Sequence, residues 1–372
     1  MTRPLAVVYV LLLLFYGATQ AAQTNTTALA PLTYAQPIKG PLLVTGTFGE
    51  LRSDHFHAGI DFRASTNTPV YSVADGFVSR ITISGGGYGQ AVYVDHPDGH
   101  RSVYAHLEYL APALRDTVRA RQFADESFSQ DLRFTPDDLP VKRGDPLGGV
   151  GNRGHSFGPH LHFEIRKASN DAPLNPLAFG FVVPDSRAPQ IRKLRVYELL
   201  DGNREVGQQT VELLNRKNSY STKDTIVVST PLVGLALKAY DRQNGMPNWN
   251  GIYGGQLYAD TTLVFDFTWD EIPYEQTEYL NALTDYADWK QNTSWFHRFW
   301  ALTQDAMFWT EAGEVPYNGS LRLRPNLPLP VSMRVLDFAG NVSTLNFTLV
   351  YRPNGSPHPS LPHQYFLPAG EG

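Results

Sequence analysis

The sequence predicts an all-β protein made of two consecutive antiparallel β units, and three observations carry that prediction. Short runs alternating apolar with polar residues recur through 40–184 and again through 190–352. Gly, Pro and Asp punctuate the runs at their junctions. A break at Pro184 to Pro189 (PDSRAP) separates the two series. At 372 residues the chain exceeds one average domain of about 150, and 42% hydrophobic content supports two sizeable cores.

Taken in order, residues 1–21 have the pattern of an export signal. Arg3 is a short basic region, Leu5 to Tyr16 is apolar, and small residues around Ala18 to Ala22 suit cleavage near Ala21. The apolar run is shorter than the roughly 20 residues that span a bilayer, so no transmembrane segment is expected in the mature chain. The sequence contains no cysteine, which excludes lipid attachment after the signal, disulfides and thiolate metal ligands. Residues 22–39, rich in Thr and Ala, are expected to be a flexible lead-in.

Strands are then expected at LLVTGTF, TPVYSVA, GFVSRITI, AVYVDH, SVYAHL and LHFEIR. The polar segment 111–140 interrupts them as an insertion; a solvated loop is favoured over helices beside a cleft. Beyond the break, KLRVYEL, TIVVSTP, VGLALKAYD, TLVFDFTW, SMRVLDFAGN and VSTLNFTLVYR supply the second unit. EQTEYLNALTDYADWKQ suits a short helix, and WFHRFW suits a core better than a sugar-stacking surface. Asp241 and Asp337 sit at turns, where carboxylates cap backbone amides, and no EF-hand-like loop argues for calcium. The stretch 353–372, with Pro, Gly and Ser, is expected to be a mobile tail.

A net charge of −5 with no long basic run argues against a nucleic-acid binder. GVGNRG at Gly149 to Gly154 fits a GxGxxG pattern, but a Gly-Pro turn and an alternating strand follow it. The dinucleotide fingerprint needs a helix N-terminus there, so the pattern argues against a nucleotide site. The glycine stretches SGGGYGQ and GVGNRGHSFG fit tight turns rimming a cleft.

Four polar residues point to metal chemistry. In GPHLHFEI, His160 and His162 are two apart, so a strand would aim both imidazoles at one cavity while Leu161 and Phe163 pack behind. In HFHAGIDF, His57 and Asp61 are four apart, a spacing that suits one helical turn or a tight loop. Two histidines and one carboxylate form a common catalytic zinc set, with a fourth position left for water. If His162 binds metal, His160 is placed for acid, base or transition-state work.

These motifs resemble those of the lysostaphin-type (LytM-like) zinc endopeptidases, which cut peptide cross-links of bacterial cell walls. HFHAGIDF, TPVYSVADGFV, GGGYGQAVYVDHPDGHRSVYAHL and VKRGDPLGGVGNRGHSFGPHLHFEI follow one another in the family's order across most of 40–180. The resemblance implies a Zn2+ cofactor held by His57, Asp61 and His162, with His160 and His106 as the paired catalytic histidines. If the strand of SVYAHL continues through His106, Tyr104 faces the same side and lines the cleft. The DFAGN turn resembles those of bacterial immunoglobulin-like modules, which implies a β-sandwich over 190–352.

The implied function is an exported zinc metalloendopeptidase of peptidoglycan, periplasmic, envelope-associated or secreted. Two alternatives stand beside it: a silent binding or activator module for other wall hydrolases, and a secreted peptidase acting on proteins. The sequence leaves open the bond cleaved, the histidine that acts as base and the oligomeric state.

Overall fold

The computed structural model describes residues 34–353 except 202, 274, 275, 278 and 302–318. The expected export signal, residues 22–33 of the expected lead-in and nearly all of the tail lie outside the described residues. The described end of the lead-in is not the flexible segment expected, because Tyr34 and Ile38 bury their apolar side chains in the first core.

The first unit contains β1 (Val44–Gly46), β2 (Ile60–Arg63), β3 (Pro69–Tyr71), β4 (Gly76–Ile83), β5 (Gln90–Asp95) and β6 (His100–Ala105). It continues through β7 (Tyr109–Leu110), α1 (Pro112–Ala124), β8 (Gln130–Arg133), β9 (Pro140–Val141), β10 (Pro146–Gly149), β11 (His160–Lys167) and β12 (Pro173–Leu174). Nine strands form one antiparallel sheet in the order β1-β2-β11-β6-β5-β4-β8, with β12 on β11 and β9 on β4. A small sheet, β3-β10-β7, accompanies it. In β11 the alternation is strict: Leu161, Phe163 and Ile165 are fully buried in the core, which sends His160, His162 and Glu164 to the opposite face.

The segment 111–140 is not the solvated loop expected. Pro112 opens α1 at a position where a missing N–H costs nothing, and Leu114 and Val118, one turn apart, bury against the first core. After the helix, β8 adds to the sheet edge beside β4. Polar composition hid both elements, because a helix with only two buried residues and an edge strand each expose most of their side chains.

The second unit runs through β13 (Gln190–Leu200), β14 (Arg204–Val211), β15 (Leu214–Arg216), β16 (Ser219–Ser221), β17 (Ile226–Val228) and β18 (Leu232–Tyr240). Then come β19 (Gly254–Ala259), β20 (Thr262–Thr268), α2 (Tyr286–Asn292), β21 (His297–Arg298), β22 (Leu321–Arg322), β23 (Leu329–Leu336) and β24 (Val342–Tyr351). One sheet is ordered β14-β13-β18-β21 with β22 on β18; the other is β15-β16-β24-β23-β19-β20 with β17 on β24. Among the described strands, the pairings are antiparallel except those of β16 and β17 with β24. Both sheets feed one core, in which Leu194 and Leu235 meet Phe265, Met333 and Leu345. WFHRFW is core here, with Phe296, Phe299 and Trp300 almost wholly buried.

The two units share a seam. Phe48, Leu51 and Phe56, from the segment before β2, belong to the second unit's core. Phe56 packs on Trp269 with ring centroids 4.9 Å apart, and its N–H donates to the Thr277 carbonyl at 2.9 Å. Gly49 lies at φ +72° with its Cα against the Trp269 ring, where a Cβ would come within 2.5 Å.

Candidate metal centre

The register of β2 on β11 builds the centre. His162 stands directly across from Asp61 in the antiparallel pair, so the two side chains emerge side by side on one face. His57 comes from the loop just before β2. Gly59, between them, has no room for a side chain: a Cβ would meet the Phe163 carbonyl oxygen at 2.5 Å and His162 Cε1 at 3.1 Å. The glycine lets the loop press close enough for His57 to join the pair. The spacing of four is thus a loop entering a strand, not a helical turn.

Three donor atoms meet in a triangle. His57 Nε2 lies 3.1 Å from Asp61 Oδ1 and 3.1 Å from His162 Nδ1, and His162 Nδ1 lies 2.9 Å from Asp61 Oδ1. Tetrahedral zinc with bonds of about 2.0–2.1 Å places neighbouring ligand atoms about 3.3 Å apart, so this triangle fits with a few tenths of an ångström of expansion.

The far side of each ring fixes its tautomer. His57 Nδ1 donates to the Thr47 carbonyl at 2.8 Å, which leaves the Nε2 lone pair turned inward. His162 Nε2 donates to Glu164 Oε1 at 2.8 Å, which leaves Nδ1 turned inward. The donor set, two inward-facing imidazole nitrogens and a carboxylate oxygen with the outer nitrogen of each ring tied to an acceptor, fits a zinc ion.

Electrostatics agree. Burial alone would raise the Asp61 carboxyl, but His57 and His162 hold it well below the usual carboxylate range. Burial would likewise lower His162, yet Asp61 and Glu164 outweigh it and push it up to about 9. The pocket therefore favours positive charge at this point, the condition a dication exploits. Glu164 is fully buried; Arg166 and His162 overcome its desolvation and keep it ionised. Tyr88 donates its hydroxyl to the same Glu164 oxygen at 2.5 Å. Arg52 reaches Asp61 Oδ2 at 3.2 Å, leaving Oδ1 to the triangle.

Two further histidines flank the triangle. His160 donates Nδ1–H to the Gly158 carbonyl at 2.8 Å, and its Nε2 lies 3.5 Å from Asp61 Oδ1. His106 donates Nδ1–H to the Arg153 carbonyl at 2.7 Å, and its ring lies 4.9 Å from that of His160. Burial lowers both, His106 to about 4, so each is neutral near pH 7.

His106 also has φ +60°, a left-handed backbone uncommon for a residue with a side chain. That conformation corrects the expectation for Tyr104. Tyr104 pairs across from Phe163 on the core face of the sheet, is fully buried, and its hydroxyl accepts from the Val73 N–H at 2.9 Å. It does not line the cleft. By plain alternation His106 would follow Tyr104 into the core; β6 ends at Ala105, and the left-handed residue turns the imidazole to the other face instead.

Glu164, Arg166, Tyr88 and Arg52 escaped the sequence reading. Glu164 was within reach, because it continues the two-residue period of His160 and His162. Tyr88 comes from a loop remote in sequence from Glu164, and Arg52, though only nine residues before Asp61, carries no local pattern that marks it.

The model for peptidase family M23 matches residues 55–137 and 137–176, the stretch that builds this centre. Over 137 residues the chain is 36% identical to the DD-carboxypeptidase/endopeptidase Mpg of Neisseria meningitidis serogroup B, covering 36% of this chain and 25% of that protein. Over 135 residues it is 32% identical to the cell division protein DipM of Caulobacter vibrioides, covering 36% of this chain and 18% of that protein. The chain thus spans a quarter or less of these two curated relatives. A solved zinc containing peptidase from Vibrio cholerae is 24% identical over 41% of each chain, with a TM-score of 0.29.

Proposed function

We propose that the chain is an exported zinc metalloendopeptidase that hydrolyses peptide cross-links of bacterial peptidoglycan. One observation carries the reading: a buried triangle of two imidazole nitrogens and a carboxylate oxygen, each outer ring proton tied away, with two neutral histidines beside it. The M23 match and the peptidase names of its relatives support the same chemistry. Export rests on the pattern of residues 1–21. No described helix is long and apolar enough to cross a membrane.

His57, Asp61 and His162 would hold a zinc ion, which when bound would supply Lewis-acid polarisation and make water a stronger nucleophile near neutral pH. His106 and His160 keep their Nδ1 protons on backbone carbonyls, so each presents Nε2 as an acceptor. One takes the proton of the attacking water. The imidazolium so formed hydrogen-bonds charge developing on the scissile carbonyl oxygen or protonates the leaving amine. The second β unit, with its DFAGN turn, reads as an immunoglobulin-like accessory module braced against the loop of His57.

The test is zinc content with release of amino groups from purified peptidoglycan and, in parallel, from a protein substrate. Wild type should hold about one zinc and release amino groups from peptidoglycan; His162→Ala should lose both; His160→Ala should keep zinc and lose turnover. Hydrolysis of the protein substrate alone would move the reading to a protein peptidase. A wild type that binds peptidoglycan without cutting it would move it to an activator module.

A further inference from the structure

Three carboxylates that the zinc site does not use converge at the seam between the units. Asp185 lies in the link between them, Asp241 immediately follows β18, and Asp337 immediately follows β23. One oxygen from each falls within 4.8 Å of the others. They line a cavity of about 70 Å³ together with Gln243, Thr47 and Tyr253. Asp241 is 3% exposed and Asp337 4%.

As the sequence suggested, Asp337 caps its turn: Oδ1 accepts from the Asn341 N–H and Oδ2 from the Asn341 amide, both at 2.8 Å. Asp185 Oδ1 accepts from the Arg187 N–H at 3.0 Å. Asp241 differs. Its Oδ1 is buried without a hydrogen-bond partner, and so is the Oε1 of Gln243, a 6% exposed side chain lining the same cavity. Among the described residues no Lys, Arg or His forms an ion pair with any of the three carboxylates.

We propose that Asp185, Asp241, Asp337 and the Gln243 amide oxygen form a calcium site that pins the link and the ends of two strands beside the zinc loop. Oxygen-only donors suit a hard cation, and calcium accepts six to eight oxygens at about 2.3–2.6 Å in flexible geometry. Two buried acceptors with no donor have the chemistry of ligands, because an unmatched buried oxygen is otherwise a cost. Burial and the neighbouring Asp337 and Asp185 push Asp241 up to about 7, so without a cation the group resists ionisation. The consequence for the zinc loop is positional. Thr47 lines the cavity, and its carbonyl is the acceptor that fixes His57.

The experiment uses the full chain, stripped of metals and reloaded with zinc. Calcium is titrated to about 5 mM, above the weak extracellular range near 10⁻⁴–10⁻³ M. Bound calcium is measured by equilibrium dialysis and stability by thermal melting, on wild type, Asp241→Asn and Asp185→Asn. Wild type should bind about one calcium and melt roughly 2–9 °C higher at about 5 mM calcium, about five- to fiftyfold above a Kd in that range. Both variants should lose the calcium and the shift while keeping their zinc. In calcium-free buffer at pH 8 Asp241→Asn should melt above wild type, since it removes a buried repelling charge, and in calcium the order should reverse. Absence of calcium binding by wild type, equal binding by the variants, or an equal shift with magnesium would overturn the proposal. Each readout is independent of peptidase activity.

Discussion

Replacing Glu164 with Gln separates the role of this buried carboxylate at the metal from its role in the fold. Glu164 is fully buried and accepts from three groups: His162 Nε2 at 2.8 Å, the Tyr88 hydroxyl at 2.5 Å, and Arg166 Nε. The amide keeps the shape but loses the charge, so the His162 proton is held less firmly and the imidazole becomes a poorer ligand. Losing such an outer partner weakens metal binding by about 10- to 100-fold. A second penalty is structural, because the Arg166 guanidinium, 5% exposed, is left facing a neutral group. Removing one partner of a buried ion pair costs about 3–5 kcal/mol. Zinc affinity is measured by chelator competition and stability by denaturant unfolding of the zinc-free protein. The double variant Glu164→Gln/Arg166→Met divides the two effects: most of the stability returns, and zinc affinity stays low. Wild-type zinc affinity in the single variant would refute the claim that Glu164 tunes His162.

Three other substitutions follow from the same geometry. Tyr104→Phe should cost about 1–3 kcal/mol by stranding the Val73 N–H. Its kcat/KM should stay within about twofold of wild type, since the ring lies in the core; a large rise in KM would return it to the cleft. Phe56→Ala should lose about 3–5 kcal/mol by opening a cavity against Trp269. It should also weaken zinc binding, because Phe56 directly precedes His57 and anchors its loop; chelator competition on the folded variant checks this, and unchanged affinity would contradict the brace. His297 is buried in the second unit, and burial pushes it down to about 4 from 6.5. A depressed histidine supports the fold above its unfolded pKa and loses that support as pH falls from about 6.5 toward 4, up to about 3 kcal/mol. Unfolding curves for wild type and His297→Gln should therefore converge as pH drops through that window, and parallel curves would rule the contribution out.

Much of this protein is legible along the chain. Alternation in GFVSRITI, AVYVDH and LHFEIR specifies strands, because a two-residue period buries one face whatever the partner. GPHLHFEI puts two imidazoles on one face by the same two-residue period, whereas HFHAGIDF shows only that His57 and Asp61 are near one another. Tertiary structure decided what the spacing left open. Register alone sets Asp61 across from His162, and a left-handed backbone at His106 alone separates its face from that of Tyr104. The helix in 111–140 needed a surface for Leu114 and Val118 before its sparse apolar pattern meant anything. The carboxylates at 185, 241 and 337 are scattered along the chain, and Arg52 and Thr47, though close to Asp61 and His57 in sequence, meet them only through the folded loop, so these contacts existed only once folding brought the groups together. Local periodicity records which side a residue faces; it holds no record of what will stand opposite.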